Sequence, residues 1–318
     1  MNAAFLDFAT VGAGELDLTP LRNVLPALRV YDTTPPARVV ERIVDAEVVL
    51  ANKVRLTRAV LEQAPRVRFI GLTATGVDNV DIDAARERGI AVCNITAYCT
   101  QSVVEHVFGT LLTLTHSLHR FNAAVRGGAW QDSEEFCMLD YPLRELSAMT
   151  MGIVGHGDLG GAVAETARHF GMDVLVAQRP GTGPAGPDRV PLDDLLARAD
   201  VVSLHCPLTD ETANLIGERE LSLMKRDAIL VNTARGGLVD SAALVAALEA
   251  ERLGGAAIDV LRQEPPVDGD PLLDCDSPRL FVTPHIAWGT REARQNAIDQ
   301  LADNVAAFQR GERRNRVD

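Results

Sequence analysis

A chain of 318 residues is long enough for two domains of ordinary size, and its 47% hydrophobic and 24% charged residues are those of a globular protein. The formal net charge of −13 argues against nucleic acid or an anionic membrane surface as a partner. No apolar run approaches a membrane span, the amino terminus lacks a signal-peptide pattern, and Cys93, Cys99, Cys137, Cys206 and Cys275 are scattered without a Cys-x-x-Cys pair, so a cytoplasmic protein with reduced thiols and no membrane partner is expected.

Residues 1–98 alternate short apolar runs with helical spacing. Strands are expected at Phe5–Phe8, Leu28–Tyr31, Val48–Ala51, Phe69–Leu72 and Ala91–Asn94, and helices at Pro36–Asp45, Thr57–Ala64 and Asp81–Arg88. Such alternation predicts a largely parallel sheet. Two loops follow strand carboxyl ends, where open parallel sheets bind ligands. In Thr73–Asn79, Gly76 either lets N–H donors converge on a small anion or makes a plain connecting turn. In Asn52-Lys53, the lysine either attracts an anion or faces solvent.

From Gln101 to about Val125 the spacing of Val103, Val104, Val107, Leu111, Leu114, Leu118 and Phe121 predicts one long helix linking two domains. His116 and His119 stand three apart on it, but no third ligand has a convincing spacing, and no metal is expected. Arg126–Leu146 is loop-rich.

Thr150–Gln178 then reads as strand, glycine turn, helix and strand around Gly155-x-Gly157-x-x-Gly160. Gly155 allows a tight turn out of the strand. Gly157 lets a pyrophosphate approach the backbone, and Gly160 lets the helix pack closely on the sheet. The N–H groups at the helix start meet the phosphates. Beyond a Gly/Pro loop at Gly181–Pro187, helices are expected at Leu192–Arg198, Ser241–Glu249 and Arg294–Gln309. Further strands are expected at Val201–His205, Ile229–Asn232, Ala256–Val260 and Leu280–Thr283. Counted with the two strands of the glycine unit, these make about six parallel strands, a dinucleotide-binding domain spanning 101–288. The last helix is expected to return to the first domain, so that the cofactor domain is inserted between 1–100 and 289–318. The tail arginines, Arg313, Arg314 and Arg316, read as a solvated end.

Three residues follow late strands of this domain: Arg235, Glu264 and His285. They suit hydride transfer to a 2-oxo acid. An arginine clamps a carboxylate and polarises the neighbouring carbonyl. A histidine supplies the proton that the carbonyl oxygen needs, and a carboxylate beside it stabilises imidazolium.

Nearly the whole chain resembles the D-isomer-specific 2-hydroxyacid dehydrogenases. The likeness is carried by the glycine motif Gly155–Gly160, by Asp200–Thr209, by Asn232–Asp240, by Asp259–Pro265 and by Thr283–Trp288. It implies a doubly wound Rossmann domain inserted into a smaller flavodoxin-like α/β substrate domain, and a homodimer built around the linking helix. It also implies Arg235 as the substrate arginine, His285 as acid/base and Glu264 as its partner. Substrate would contact Asn52, Lys53, Thr75, Gly76, Val77 and Trp288. Cofactor would contact Gly155, Gly157, Asp158, Leu159, Gly160, Gln178, Arg179, His205, Cys206, Pro207, Thr212, Thr233, Ala234, Asp259 and His285. Within the family, Asn94–Val107, Phe136–Leu143 and His285–Arg294 are similar to the glycerate dehydrogenases, also termed hydroxypyruvate reductases. The expected reaction is NAD(P)-dependent reduction of hydroxypyruvate to D-glycerate, with glyoxylate reduced to glycolate. The alternatives are another 2-oxo acid, or a non-catalytic dinucleotide-binding regulator of the corepressor kind.

Two positions depart from the family pattern. The acidic residue that usually binds the ribose hydroxyls is Gln178 here, followed by Arg179. A neutral amide does not repel a 2′-phosphate and Arg179 can pair with it, so NADP(H) is favoured slightly over NAD(H). In the other reading, Gln178 binds the ribose hydroxyls and Arg179 faces solvent. Gly161 replaces a residue that is commonly basic, removing one charge from the pyrophosphate side.

Overall fold

The structure is a computed structural model of the chain. It describes residues 1–12, 14–179 and 189–318, and the loop expected at Gly181–Pro187 lies outside them. The chain divides into two compact units, one formed by Met1–Cys99 with Trp288–Asp318 and the other by Thr100–Ala287.

The first unit is built on five parallel strands: β1 (Asn2–Phe5), β2 (Ala27–Val30), β3 (Val48–Ala51), β4 (Phe69–Leu72) and β5 (Ala91–Cys93). Their order, β2-β1-β3-β4-β5, is that of flavodoxin-like sheets. Every residue of β3 and β4 is buried, because apolar layers cover both faces of the sheet. Phe5, Leu50 and Phe69 face one layer; Leu6, Val49 and Ile70 face the other. The helix Arg291–Gln309 belongs to the first layer through Ile298, Leu301 and Val305. A Cβ at Gly71 would stand 2.6 Å from Leu301 Cδ1, so the bare strand surface is what lets this helix close on the sheet.

Some expectations differ locally. Pro36–Asp45 forms a 3-10 turn, Pro36–Arg38, and then a short helix, Val39–Ile43. An additional helix, Thr19–Val24, starts with Pro20 in its first turn. The basic end is not loose. The Val317 N–H donates to Val92 O at 2.9 Å, Arg316 bridges Cys93 in antiparallel sense, and the Arg316 guanidinium pairs with Asp318.

The second unit holds six parallel strands: β6 (Thr150–Val154), β7 (Asp173–Val176), β8 (Val201–Leu204), β9 (Ile229–Asn232), β10 (Gly255–Ile258) and β11 (Leu280–Val282). Their order is β11-β10-β9-β8-β6-β7. Beyond β7, Val190 forms a parallel bridge to Ala177, so a third strand of the usual dinucleotide fold survives as a single bridge. Strand order reverses between β6 and β8, which opens a crevice at their carboxyl ends. Val154 stands opposite Leu204, Leu204 opposite Asn232, Asn232 opposite Ile258, and Ile258 opposite Val282. Five strand ends are therefore level, and the loops leaving them share one edge of the sheet.

The expected single long helix is two, Thr100–Thr115 and Leu118–Arg126. Ser117 between them is left-handed (φ 48°), and its hydroxyl donates to Pro142 O at 3.0 Å. Among the described residues no helix is long and apolar enough to cross a membrane.

Candidate active site

The glycine turn leaves β6 through Gly155, at φ +94°, a conformation that L side chains rarely adopt. A Cβ there would lie 2.5 Å from the Cys206 N, because the turn crosses the end of β8. A Cβ on Gly160 would lie 1.9 Å from the Gly155 carbonyl oxygen. These two glycines are required by the fold itself. Gly157 differs: among the described residues nothing lies within 4 Å of where its Cβ would be. It caps the helix Asp158–His169, whose first N–H groups lack intrahelical partners and carry the positive end of the helix dipole. Open space beside a bare backbone at a helix start fits a pyrophosphate.

At the end of β8, the His205 Nε2 lies 2.8 Å from Ser203 Oγ, and its Nδ1 is buried with no partner among the described residues. Burial holds its pKa down at about 4, so the ring is neutral. Cys206 and Pro207 follow it at the crevice. Thr212, expected at the cofactor, closes its own turn. Its buried hydroxyl donates to Pro207 O at 2.7 Å and accepts from the Thr209 N–H at 2.8 Å. At the end of β9, the Thr233 hydroxyl is buried and has no partner among the described residues. Ala234 is held by its N–H, which donates to Asn232 Oδ1 at 3.0 Å. Two orphaned polar atoms along the level strand ends are the mark of a site made for a polar ligand.

At the end of β7, the Gln178 N–H donates to Val190 O at 2.8 Å, and Arg179 is exposed. Arg189 donates from Nη1 to Ala177 O at 3.1 Å. This second cation escapes a reading along the sequence, because only the Val190–Ala177 bridge brings it back to the strand end.

Arg235, Glu264 and His285 leave the adjacent ends of β9, β10 and β11. Arg235 is exposed, and its carbonyl accepts from Asn232 Nδ2 at 2.9 Å. A Cβ on Gly236 would stand 2.0 Å from the Leu261 carbonyl carbon, so the β9 and β10 loops touch there. Glu264 accepts the Leu261 N–H through Oε1 at 2.9 Å and meets His285 Nδ1 through Oε2 at 2.6 Å. Where the carboxylate is ionised it only accepts, so Nδ1 carries the hydrogen of this pair. Asp259 is 2% exposed. Its Oδ1 accepts from the Thr283 hydroxyl at 2.6 Å and the Ile286 N–H at 2.8 Å, and its Oδ2 from the Ala287 N–H at 2.8 Å. Asp259 thus pins the turn that carries His285. Two carboxylate oxygens have about four acceptor positions, which leaves room for one more donor.

In the first unit, Asn52, expected at the substrate, turns its side chain inward. It is buried, and Nδ2 donates to Thr10 Oγ1 at 3.0 Å. Buried Asp7 was not foreseen. It accepts successive N–H groups of Asn52, Lys53 and Val54 at 2.9, 2.6 and 2.9 Å, fixing the loop that carries exposed Lys53. After β4, the Thr75 hydroxyl donates to Ile95 O, and Asn94 Nδ2 donates to Thr75 O. Among the described residues none accepts from the N–H groups of Thr75, Gly76 or Val77. Trp288 meets Tyr98 edge to face, ring centroids 6.3 Å apart. His116 and His119 turn to different partners. His116 Nδ1 turns to Thr115 Oγ1, and His119 Nε2 donates to Pro278 O.

Residues 108–287 match the family model described as D-isomer specific 2-hydroxyacid dehydrogenase, NAD binding domain. A glycerate dehydrogenase of Methylorubrum extorquens is 45% identical over 290 residues, 91% of each chain. A hydroxypyruvate reductase of Blautia hydrogenotrophica is 36% identical over 98% of each. Among solved structures, the TT0316 protein of Thermus thermophilus superposes over all of both chains with a TM-score of 0.87 at 34% identity.

The chain belongs to the D-isomer specific 2-hydroxyacid dehydrogenase family. It is an oxidoreductase whose Rossmann unit is made for a nicotinamide dinucleotide.

Proposed function

We propose that this enzyme reduces hydroxypyruvate to D-glycerate, and glyoxylate to glycolate, with His285 as acid/base and with NADPH favoured over NADH. The observation that carries the chemistry is the 2.6 Å His285–Glu264 pair on strand ends level with that of Arg235. When bound, the nicotinamide supplies the hydride that reaches C2 of the 2-oxo acid. Asp259, Thr233 and Ala234 offer its carboxamide polar groups at the ends of β9 and β10. Arg235 clamps the substrate carboxylate and draws electron density from the carbonyl. In the first unit, the N–H groups of Thr75, Gly76 and Val77, which meet no acceptor among the described residues, suit a carboxylate, and Lys53 adds positive charge. His285 in its protonated form gives the Nε2 proton to the C2 oxygen, while Glu264 stays ionised and stabilises the imidazolium. In oxidation, neutral His285 takes the hydroxyl proton of D-glycerate.

Hydroxypyruvate is favoured by the likeness to the Methylorubrum and Blautia enzymes. Trp288 is the proposed wall for the hydroxymethyl group. NADPH is favoured by neutral Gln178, by exposed Arg179, and by Arg189 held at the same strand end.

The test is the initial rate of hydroxypyruvate reduction with NADPH and NADH in parallel. His285→Ala is expected to lose roughly 10²–10⁴-fold in kcat. Gln178→Asp is expected to lower the NADPH/NADH rate ratio at least about tenfold through repulsion of the 2′-phosphate. Full activity of His285→Ala removes the mechanism. An unchanged cofactor ratio removes the NADP reading alone. Cofactor binding without turnover of any 2-oxo acid points to the non-catalytic alternative.

A further inference from the structure

His285 sits at φ 55° on a non-glycine residue, a backbone conformation that persists only where its surroundings impose it. Part of that hold comes from Asp259, the residue that follows β10. The His285 N–H donates to Asp259 O at 2.8 Å and to Thr283 O at 3.0 Å, and the Asp259 carboxylate collects Thr283, Ile286 and Ala287. The rest comes from the helix Thr100–Thr115. Ser102 Oγ donates to Ala287 O at 2.6 Å, and His106 Nε2 lies 3.2 Å from Thr283 Oγ1.

A hydroxyl has one hydrogen, and that of Thr283 goes to Asp259 at 2.6 Å. Toward His106 the Thr283 oxygen is therefore an acceptor, and His106 Nε2 carries the hydrogen. Ser102 and His106 stand four apart, one turn along a single helix face. Their two bonds reach Thr283 and Ala287, two residues before and two after His285. Val103, Val107 and Leu111 of the same helix are buried apolar residues of the ordinary kind. A buried serine and a histidine whose side chain is only 16% exposed cost free energy unless satisfied, and here both are spent on one turn.

We propose that Ser102 and His106 are positioning residues that clamp the His285 turn and hold Nε2 where it exchanges a proton with substrate. The inference rests on His285 being the acid/base. Neither residue touches the reacting atoms; each acts through the turn. A displacement of about 1 Å at a reacting group can cost on the order of 10²-fold in rate, so loosening one end of the turn should be visible in kcat.

Ser102→Ala and His106→Ala are made in the wild-type and in the His285→Ala background. In the wild-type background each is expected to lower kcat for hydroxypyruvate reduction about tenfold, with the cofactor Kd within about twofold. His106→Gln keeps an amide donor near the Nε2 position and is expected to recover most of the rate. In the His285→Ala background the same changes should alter the residual rate less than about twofold, because residues that act as a unit are not additive. Amide hydrogen exchange at Ile286 and Ala287 should quicken in Ser102→Ala, which removes one hydroxyl without opening a cavity and carries the test if His106→Ala does not fold. Unchanged kcat in the wild-type background, or equal fold-losses in both backgrounds, overturns the clamp while leaving His285 as acid/base. Full activity of His285→Ala overturns the acid/base reading instead, and the clamp with it.

Discussion

His205 holds a neutral ring at the end of β8, and that neutrality has a stability consequence. Its pKa in the folded chain is about 4 against an ordinary 6.5, because burial disfavours the charged form. Between those values the unfolded chain binds more protons than the folded one, so stability falls as pH drops through the window and is unaffected by this group above it. At about 1.4 kcal/mol per unit, the loss by pH 4.5 is on the order of 2 kcal/mol. His205→Gln keeps a polar group for Ser203 without titrating. The gap in unfolding free energy between wild type and variant should therefore shift by roughly 2 kcal/mol from pH 7.5 to 4.5. Parallel denaturation curves across that range would show that the ring takes up its proton in the folded state. The sequence gives no hint of this, since neutrality comes from burial behind the glycine turn. The positions of Arg235, Glu264 and His285 beyond β9, β10 and β11 are legible because each sits in a distinctive run that follows an apolar strand. Asn52 and Thr212 sit in similar runs, but their side chains turn inward to Thr10 and Pro207, which only the three-dimensional packing decides.

The glycine turn separates two demands that one motif merges. Gly160 serves the fold, since a Cβ would press to 1.9 Å from a backbone oxygen. Gly157 serves the ligand, since the chain leaves its Cβ direction open and its φ of −90° suits any residue. Gly160→Ala should therefore lower stability by about 1–3 kcal/mol as an overpacked contact. Gly157→Ala should stay within about 0.5 kcal/mol of wild type yet weaken cofactor binding at least about tenfold. Thermal melts and cofactor titration of both variants decide it, and wild-type affinity in Gly157→Ala would mean that the pyrophosphate lies elsewhere. At this scale the strands were the easiest elements to read. β3, β4, β8 and β9 are buried along their whole lengths and so appear as apolar runs, broken only by Ser203 in β8 and Asn232 at the end of β9. The break at Ser117 was not readable. The apolar spacing runs on through it, no Gly or Pro marks it, and its hydroxyl is held by Pro142, which is remote in sequence.

Across the whole molecule, the exposed large apolar side chains concentrate in one arm of the second unit: Leu118, Val125, Trp130, Phe136, Leu139 and Leu143. Phe136 is 93% and Leu139 72% exposed. The arm is nonetheless organised. Trp130 Nε1 donates to Phe136 O at 3.2 Å, Phe121 meets Tyr141 edge to face at 4.9 Å, and the Arg120 guanidinium lies 3.9 Å over the Tyr141 ring. An ordered surface with this much apolar exposure is suited to a partner, and the helix Leu118–Arg126 on it is the distal half of what the sequence presents as one linking helix. We propose that a second copy of the chain covers it. Association has to overcome repulsion between two chains of net charge −13, so the dimer should tighten with added salt as that repulsion is screened. Sedimentation equilibrium at micromolar concentration should give twice the 34.2 kDa chain mass. Phe136→Asp with Leu139→Asp places two charges into the covered surface and should yield the single-chain mass without lowering the stability of the isolated subunit, since neither side chain is buried within it. A wild-type protein that sediments as one chain, or a double variant that stays dimeric, would remove this arm as the contact.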